Sequence, residues 1–147
     1  LGFAKKGRNY ARDLNASIAF VEKRRTANDS KAKALTLIGN VKDRDVLIVD
    51  DEVLTGGSIE QAVGVVKKNG ARDVYLAFIH PIFSEDGAKR LAQLPIKHMI
   101  TTDTVPISPK ILKLLKGRLT VLSIAPMLGE VIRRAHEGRS VGEMFNE

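Results

Sequence analysis

Two adjacent carboxylates, Asp50 and Asp51, end the apolar run Val46 to Val49, and Thr55, Gly56, Gly57 and Ser58 follow at once. These two groups of residues suit opposite chemistries. Carboxylates do not hold a phosphate directly, but they accept hydrogen bonds from a vicinal diol or hold Mg²⁺ through water. Backbone amides at the start of a helix, with its partial positive charge, bind an anion. Two glycines let the chain curl round an oxyanion without a Cβ in the way, and Thr55 and Ser58 add hydroxyl donors. Acids beside a phosphate cradle fit one kind of ligand, a phosphorylated sugar with free hydroxyls, with or without a metal. The plainer reading is an ordinary strand-turn-helix, with Asp-Asp as turn residues and Gly-Gly as a flexible link. The stretch is no P-loop, since no Lys follows its glycines, and it lacks the G-x-G-x-x-G of a dinucleotide site.

The elements around it must place these residues. Asp45 to Asp50 predicts a strand covered on both faces. Ser58 to Asn69 predicts a helix with Ser58 as N-cap, Gln61 closing a capping box, and Ile59, Val63 and Val66 as the apolar stripe. Asn69-Gly70 ends it. Upstream, Phe3 to Leu14 has helical spacing, Ser17 to Val21 and Ala34 to Ile38 read as short strands, and Glu22 to Lys33 reads as a long polar loop. Downstream come strands over 73–79, 97–101 and 119–122, alternating with helices over 85–94, from Ser108-Pro109, and over 126–136. The alternation predicts an α/β fold, a mostly parallel sheet with helices on both faces, in one domain over residues 1–147. In such a sheet, ligands bind beyond the carboxyl ends of the strands, where Asp50 to Ser58 lie.

The chain of 147 residues is 44 % apolar, enough to bury a core. A net charge of +7 favours anionic partners: nucleic acid, acidic lipid or phosphorylated small molecules. Aromatics are only 5 % with no Trp, which argues against base stacking and nucleic acid. No apolar run reaches the roughly 20 residues that span a bilayer. The absence of cysteine excludes disulfides and thiolate metal sites and fits a reducing, cytoplasmic setting. His80 falls at the end of a strand, on the functional edge. A lone His is more often a structural hydrogen-bonder than a catalyst.

The stretch V-D-D-E-V-L-T-G-G-S resembles the ribose-phosphate loop of the phosphoribosyltransferase fold. The flanks narrow the likeness. V-E-K-R-R before it, I-H-P-I-F-S and T-T-D-T-V-P-I after it, and the ending V-L-S-I-A-P-M-L-G-E-V-I-R-R-A-H-E-G-R-S-V resemble ribose-phosphate diphosphokinase (phosphoribosyl diphosphate synthetase), in matching order. The resemblance covers only the C-terminal half of such an enzyme. It implies a missing N-terminal domain of similar fold, Leu1 starting inside a motif, and a homo-oligomer for the full-length protein. It also implies transfer of the diphosphoryl group of ATP to the C1 hydroxyl of ribose 5-phosphate, with Mg²⁺. By the same resemblance, Asp50 and Asp51 bind ribose hydroxyls and Thr55, Gly56, Gly57 and Ser58 bind the 5′-phosphate. Lys23 and Arg25 match the cationic pair of a mobile catalytic loop, and no residue is singled out as a metal ligand.

Fixed cations at the non-bridging oxygens are the main catalytic device for such a transfer. A polar lid over Glu22 to Lys33 would also exclude water. The sequence departs from the family's pattern at Leu54, where many members carry a third acid, and at Gly142, where a Ser is usual in a segment tied to phosphate or ADP regulation. Two other readings share the loop: a phosphoribosyltransferase, and a non-catalytic regulatory subunit of the same fold.

Overall fold

The computed structural model describes the backbone of residues 2–25 and 33–145, and the side chains of residues 7–22 and 35–145. Helix α1 (Gly2–Asp13) leads to strands β1 (Phe20–Arg25) and β2 (Lys33–Ile38), which pair antiparallel with Lys23 opposite Leu35 and Arg25 opposite Lys33. Then follow β3 (Val46–Glu52), α2 (Gly57–Lys68), β4 (Val74–His80), α3 (Glu85–Gln93), β5 (His98–Thr102), α4 (Pro109–Leu114), β6 (Leu119–Leu122) and α5 (Ala125–His136). A single 3-10 turn at Gly142–Phe145 comes last.

Strands β3 to β6 form one parallel sheet in sequence order. Right-handed crossovers that step the same way along a sheet set their helices on one face. The contacts agree: α2 packs on α3, and α3 on α4. That face holds the core. Leu76 and Met99 from adjacent strands meet Ile59, Val63 and Val66 of α2, Ala88 and Leu91 of α3, and Ile111 and Leu115 of the α4 segment, all buried in one cluster. Residues alternate between the two faces of a strand. The other face therefore carries Leu47, Ile79, Ile100 and Leu122, each at least 36 % exposed.

The parallel α/β architecture agrees with the sequence expectation, as do most helix ends, but α2, α3 and α4 lie on one face of the sheet and not on both, because every crossover steps the same way. Ser108 caps α4, accepting from the Ile111 amide with Pro109 in the first turn. Asn69 is the C-cap of α2, and Gly70 follows with φ of 86°, a conformation that suits glycine.

Two expectations are corrected. Phe20–Arg25 is a strand, so the polar segment does not loosen at Glu22. Its charged residues give no alternating pattern, and pairing with β2 supplies the order. Ser58 is not the N-cap of α2. The cap is Gly56, left-handed at φ 70°, with no side-chain cap hydrogen bond, and Ser58 sits inside the first turn. The Ser58–Gln61 capping box is therefore absent. The lid proposed over 22–33 falls partly on residues 26–32, which lie outside the described residues.

Candidate functional site

Strand β3 ends in acid, and a tight turn from Val53 to Gly56 feeds straight into α2. Together they enclose a cleft of about 150 Å³ at the carboxyl edge of the sheet, lined by Asp50, Glu52, the turn residues Val53 to Gly56, and Gly57, Ser58 and Ile59. The first intrahelical bond runs from the Glu60 amide to the Gly56 carbonyl at 2.9 Å. The amides of Gly57, Ser58 and Ile59 precede it, so helix geometry leaves them without an intrahelical acceptor. No side chain caps them. The empty cap leaves these donors uncapped at residues that line the cleft, with the positive end of the helix behind them.

The adjacent acids separate. Asp50 and Glu52 line the cleft, while Asp51 does not. Side chains alternate along a strand, so i and i+2 share a face and the residue between them looks away. The Asp50 carboxylate accepts from the Asp51 amide, and the Asp51 carboxylate from the Glu52 amide, each at 3.0 Å. Burial is the largest influence on Asp50 and pushes its pKa above the usual carboxylate value, with the neighbouring Asp51 and Glu52 charges adding to that. Of the phosphate-binding candidates, Thr55, Gly56, Gly57 and Ser58 all line the cleft. Leu54 lines it too and is 49 % exposed, an apolar group at the mouth of a polar site.

Helix α3 holds the turn from behind. The Ser84 amide donates to the Leu54 carbonyl at 2.9 Å and the Ser84 hydroxyl donates to the same oxygen at 3.2 Å. The same hydroxyl oxygen caps α3, accepting from the Gly87 amide at 3.0 Å. Gly87 fits because a Cβ there would collide with the Leu54 carbonyl and crowd Thr55. Ser84→Ala should lower stability by about 1 kcal/mol through loss of the cap. Urea unfolding of the purified chain checks this, and an unchanged midpoint would show that the clamp is unimportant.

His80 lies at the end of β4, opposite Glu52 in the register, with Nδ1 3.0 Å from the Thr104 hydroxyl. The structure thus gives it a hydrogen-bonding partner at the functional edge. The backbones of Lys23 and Arg25 lie in β1, and their side chains lie outside the described residues. Among the described residues, no group of three or more His, Cys, Asp or Glu is arranged to hold a metal. No described helix is long and apolar enough to cross a membrane.

The sequence reading left out two residues. Glu52 was legible, because period 2 places it with Asp50. Ser84 was not, because only the docking of α3 brings it to the Leu54 carbonyl.

The sheet order, the one-sided crossovers and a cleft at the carboxyl edge define a parallel α/β protein. Within that class the chain belongs to the family of the phosphoribosyl synthetase-associated domain, whose model matches residues 4–146. It is 36 % identical over 144 residues to a ribose-phosphate pyrophosphokinase of Caldanaerobacter subterraneus subsp. tengcongensis, covering 98 % of this chain and 44 % of that protein. A ribose-phosphate pyrophosphokinase of Nostoc sp. is 38 % identical over 146 residues, covering 99 % of this chain and 43 % of its own length. The crystal structure of phosphoribosylpyrophosphate synthetase from Mycobacterium smegmatis superposes with a TM-score of 0.82 at 32 % identity, over 94 % of this chain and 43 % of that one. The chain therefore spans less than half the length of the relatives it matches.

Proposed function

We propose that this chain is the ribose-phosphate half of a ribose-phosphate diphosphokinase. In that reaction the C1 hydroxyl oxygen of ribose 5-phosphate attacks the β-phosphorus of ATP. The bond between that phosphorus and the oxygen bridging it to the α-phosphate breaks. AMP leaves, the hydroxyl proton is lost, and phosphoribosyl diphosphate forms. The observation that carries this reading is the cleft itself: uncapped amides of Gly57, Ser58 and Ile59 at one end and the Asp50 carboxylate at the other.

In this reading the 5′-phosphate rests on those amides and on the hydroxyls of Thr55 and Ser58. Asp50 and Glu52 accept hydrogen bonds from the ribose diol. Asp51 joins them only on a change of rotamer, since its side chain is outside the lining. Two carboxylates in one cleft are hard oxygen donors of the kind that suits Mg²⁺ held through water. When bound, that ion would neutralise charge on the diphosphoryl group. Lys23 and Arg25, carried by a hairpin that follows α1, would supply fixed cations to the same oxygens.

Relatives twice as long support a second domain as partner, and so does the surface of this chain. Helix α5 has no buried residue. Ile132 is 69 % exposed, and Leu122 and Phe145 are about half exposed. An amphipathic helix whose apolar residues have no covering layer suits a face that another domain or a second copy covers. The reading places the protein in the cytoplasm, as a homo-oligomer when whole.

The test is NMR titration of the chain with ribose 5-phosphate and Mg²⁺, following the amides of residues 50 to 59. Shifts confined to that turn support the reading. Shifts elsewhere, or none at millimolar ligand, would reject it. A parallel assay of AMP release needs the chain joined to the remaining half of its relatives.

A further inference from the structure

A phosphate arriving at α2 meets a competitor that the helix itself provides. Glu60 lies in the first turn of α2, where its carboxylate is favoured by the helix dipole and repels a second anion. Arg90, reaching across from α3, stands against that carboxylate with Nε 3.5 Å from Oε2. The pair is loose. Its separation exceeds an ordinary charge-assisted hydrogen bond, and the two side chains are 42 % and 52 % exposed. Little is lost when such a pair rearranges. The far end of the guanidinium lies beside Gly57, next to the cleft but outside its lining. A methyl built on Gly57 would lie 3.2 Å from Arg90 Nη1 and 3.8 Å from Thr55 Oγ1. One spot beside Gly57 is thus shared by the hydroxyl that lines the cleft and by a cation from another element. Glycine at 57 keeps that spot open.

We propose that Arg90 is a third phosphate-binding side chain at this cleft, after Thr55 and Ser58, parked on Glu60 at rest and turned to the 5′-phosphate when it binds. The proposal rests on the ribose-phosphate reading and adds to it a residue from α3. A guanidinium offers a planar fork that matches a phosphate's oxygens, and the Glu60 charge is then left to solvent. Glu60 therefore tunes affinity downward, and Arg90 raises it.

The experiment compares Arg90→Gln, Arg90→Lys and Glu60→Gln in the 147-residue chain, titrated with ribose 5-phosphate and separately with inorganic phosphate. Unfolding curves establish that each variant folds. Arg90→Gln should weaken both ligands about tenfold, the loss of one charged hydrogen-bonding group. Arg90→Lys should recover part of that loss, and Glu60→Gln should tighten both ligands a few-fold. These opposite signs separate a ligand contact from a merely structural pair, whose loss would shift both variants the same way. If the wild-type Gly57 and Ser58 amides respond to ligand while Arg90→Gln binds like wild type, this inference fails and the cradle stands. If those amides do not respond in the wild type, the cradle and the inference both fall.

Discussion

Lys23→Ala, in a protein that unites this chain with the remaining half of its relatives, should lower turnover about a hundredfold or more, with ribose 5-phosphate binding changed little. The split follows from where charge develops. Ground-state ribose 5-phosphate carries its charge on the 5′-phosphate, which the proposed reading places at the turn after β3. Transfer builds charge on the oxygens of the diphosphoryl group, which must lie at the C1 end of the sugar. A cation acting only there is felt in the transition state and scarcely in binding, so kcat falls while KM holds. Steady-state kinetics of AMP release, with a separate binding measurement, decide it. Unchanged turnover would remove Lys23 from the chemistry. A rise in KM alone would make it a ground-state phosphate contact.

The second large effect belongs to Asp50. Asp50→Asn should weaken ribose 5-phosphate binding about ten- to a hundredfold, since hydrogen bonds to a charged acceptor are worth about 1.5–3 kcal/mol. The same substitution should make the ligand-free chain more stable at neutral pH. Burial raises the pKa of Asp50 above its ordinary 3.8, so the folded chain holds this proton more tightly than the unfolded chain does. Through the window from 3.8 up to the raised value, the native state binds more protons, and stability falls as pH rises. Above that window the ionised Asp50 costs stability in full, and Asn, which does not ionise, avoids the cost.

The advantage of the variant should therefore shrink as pH falls through the window and level off below 3.8. Other carboxylates act in the opposite sense. Hydrogen bonds from Arg72 to Asp45, from Lys110 to Glu85 and from Arg134 to Glu130 lower those pKa values, so acid removes their contribution. They are common to both proteins and cancel in the difference. Thermal unfolding of both chains across this range, with calorimetric titration of ribose 5-phosphate, measures both halves of the prediction. A variant that loses affinity without gaining stability would show that burial does not govern Asp50.

The Asp50 effect traces to a short stretch that is legible in the sequence, whereas the role of Lys23 rests on the family resemblance alone. The apolar run into acid, the glycine pair and the stripe Ile59, Val63, Val66 specify strand, turn and helix through local propensity and periodicity, and the structure has all three. The errors share a different origin. Ser58 carries every local sign of an N-cap, yet the cap is Gly56. The turn is pinned by Ser84 to the Leu54 carbonyl, and a left-handed residue is what lets the chain enter α2 from there. Likewise Phe20–Arg25 has a strand's geometry without a strand's pattern, because its order comes from pairing with β2.

The amino-acid order by itself determined the element sequence and the chemical types gathered at the end of β3, because those depend on neighbours along the chain. Tertiary packing decided the rest. It chose which side of β3 faces the cleft, brought Ser84 to the Leu54 carbonyl and Arg90 beside Gly57, and left α5 and one face of the sheet uncovered. The physical reason is that these outcomes depend on which face of each element meets which neighbour. That choice is made by burial and close contact between segments far apart in the chain, which no local pattern encodes.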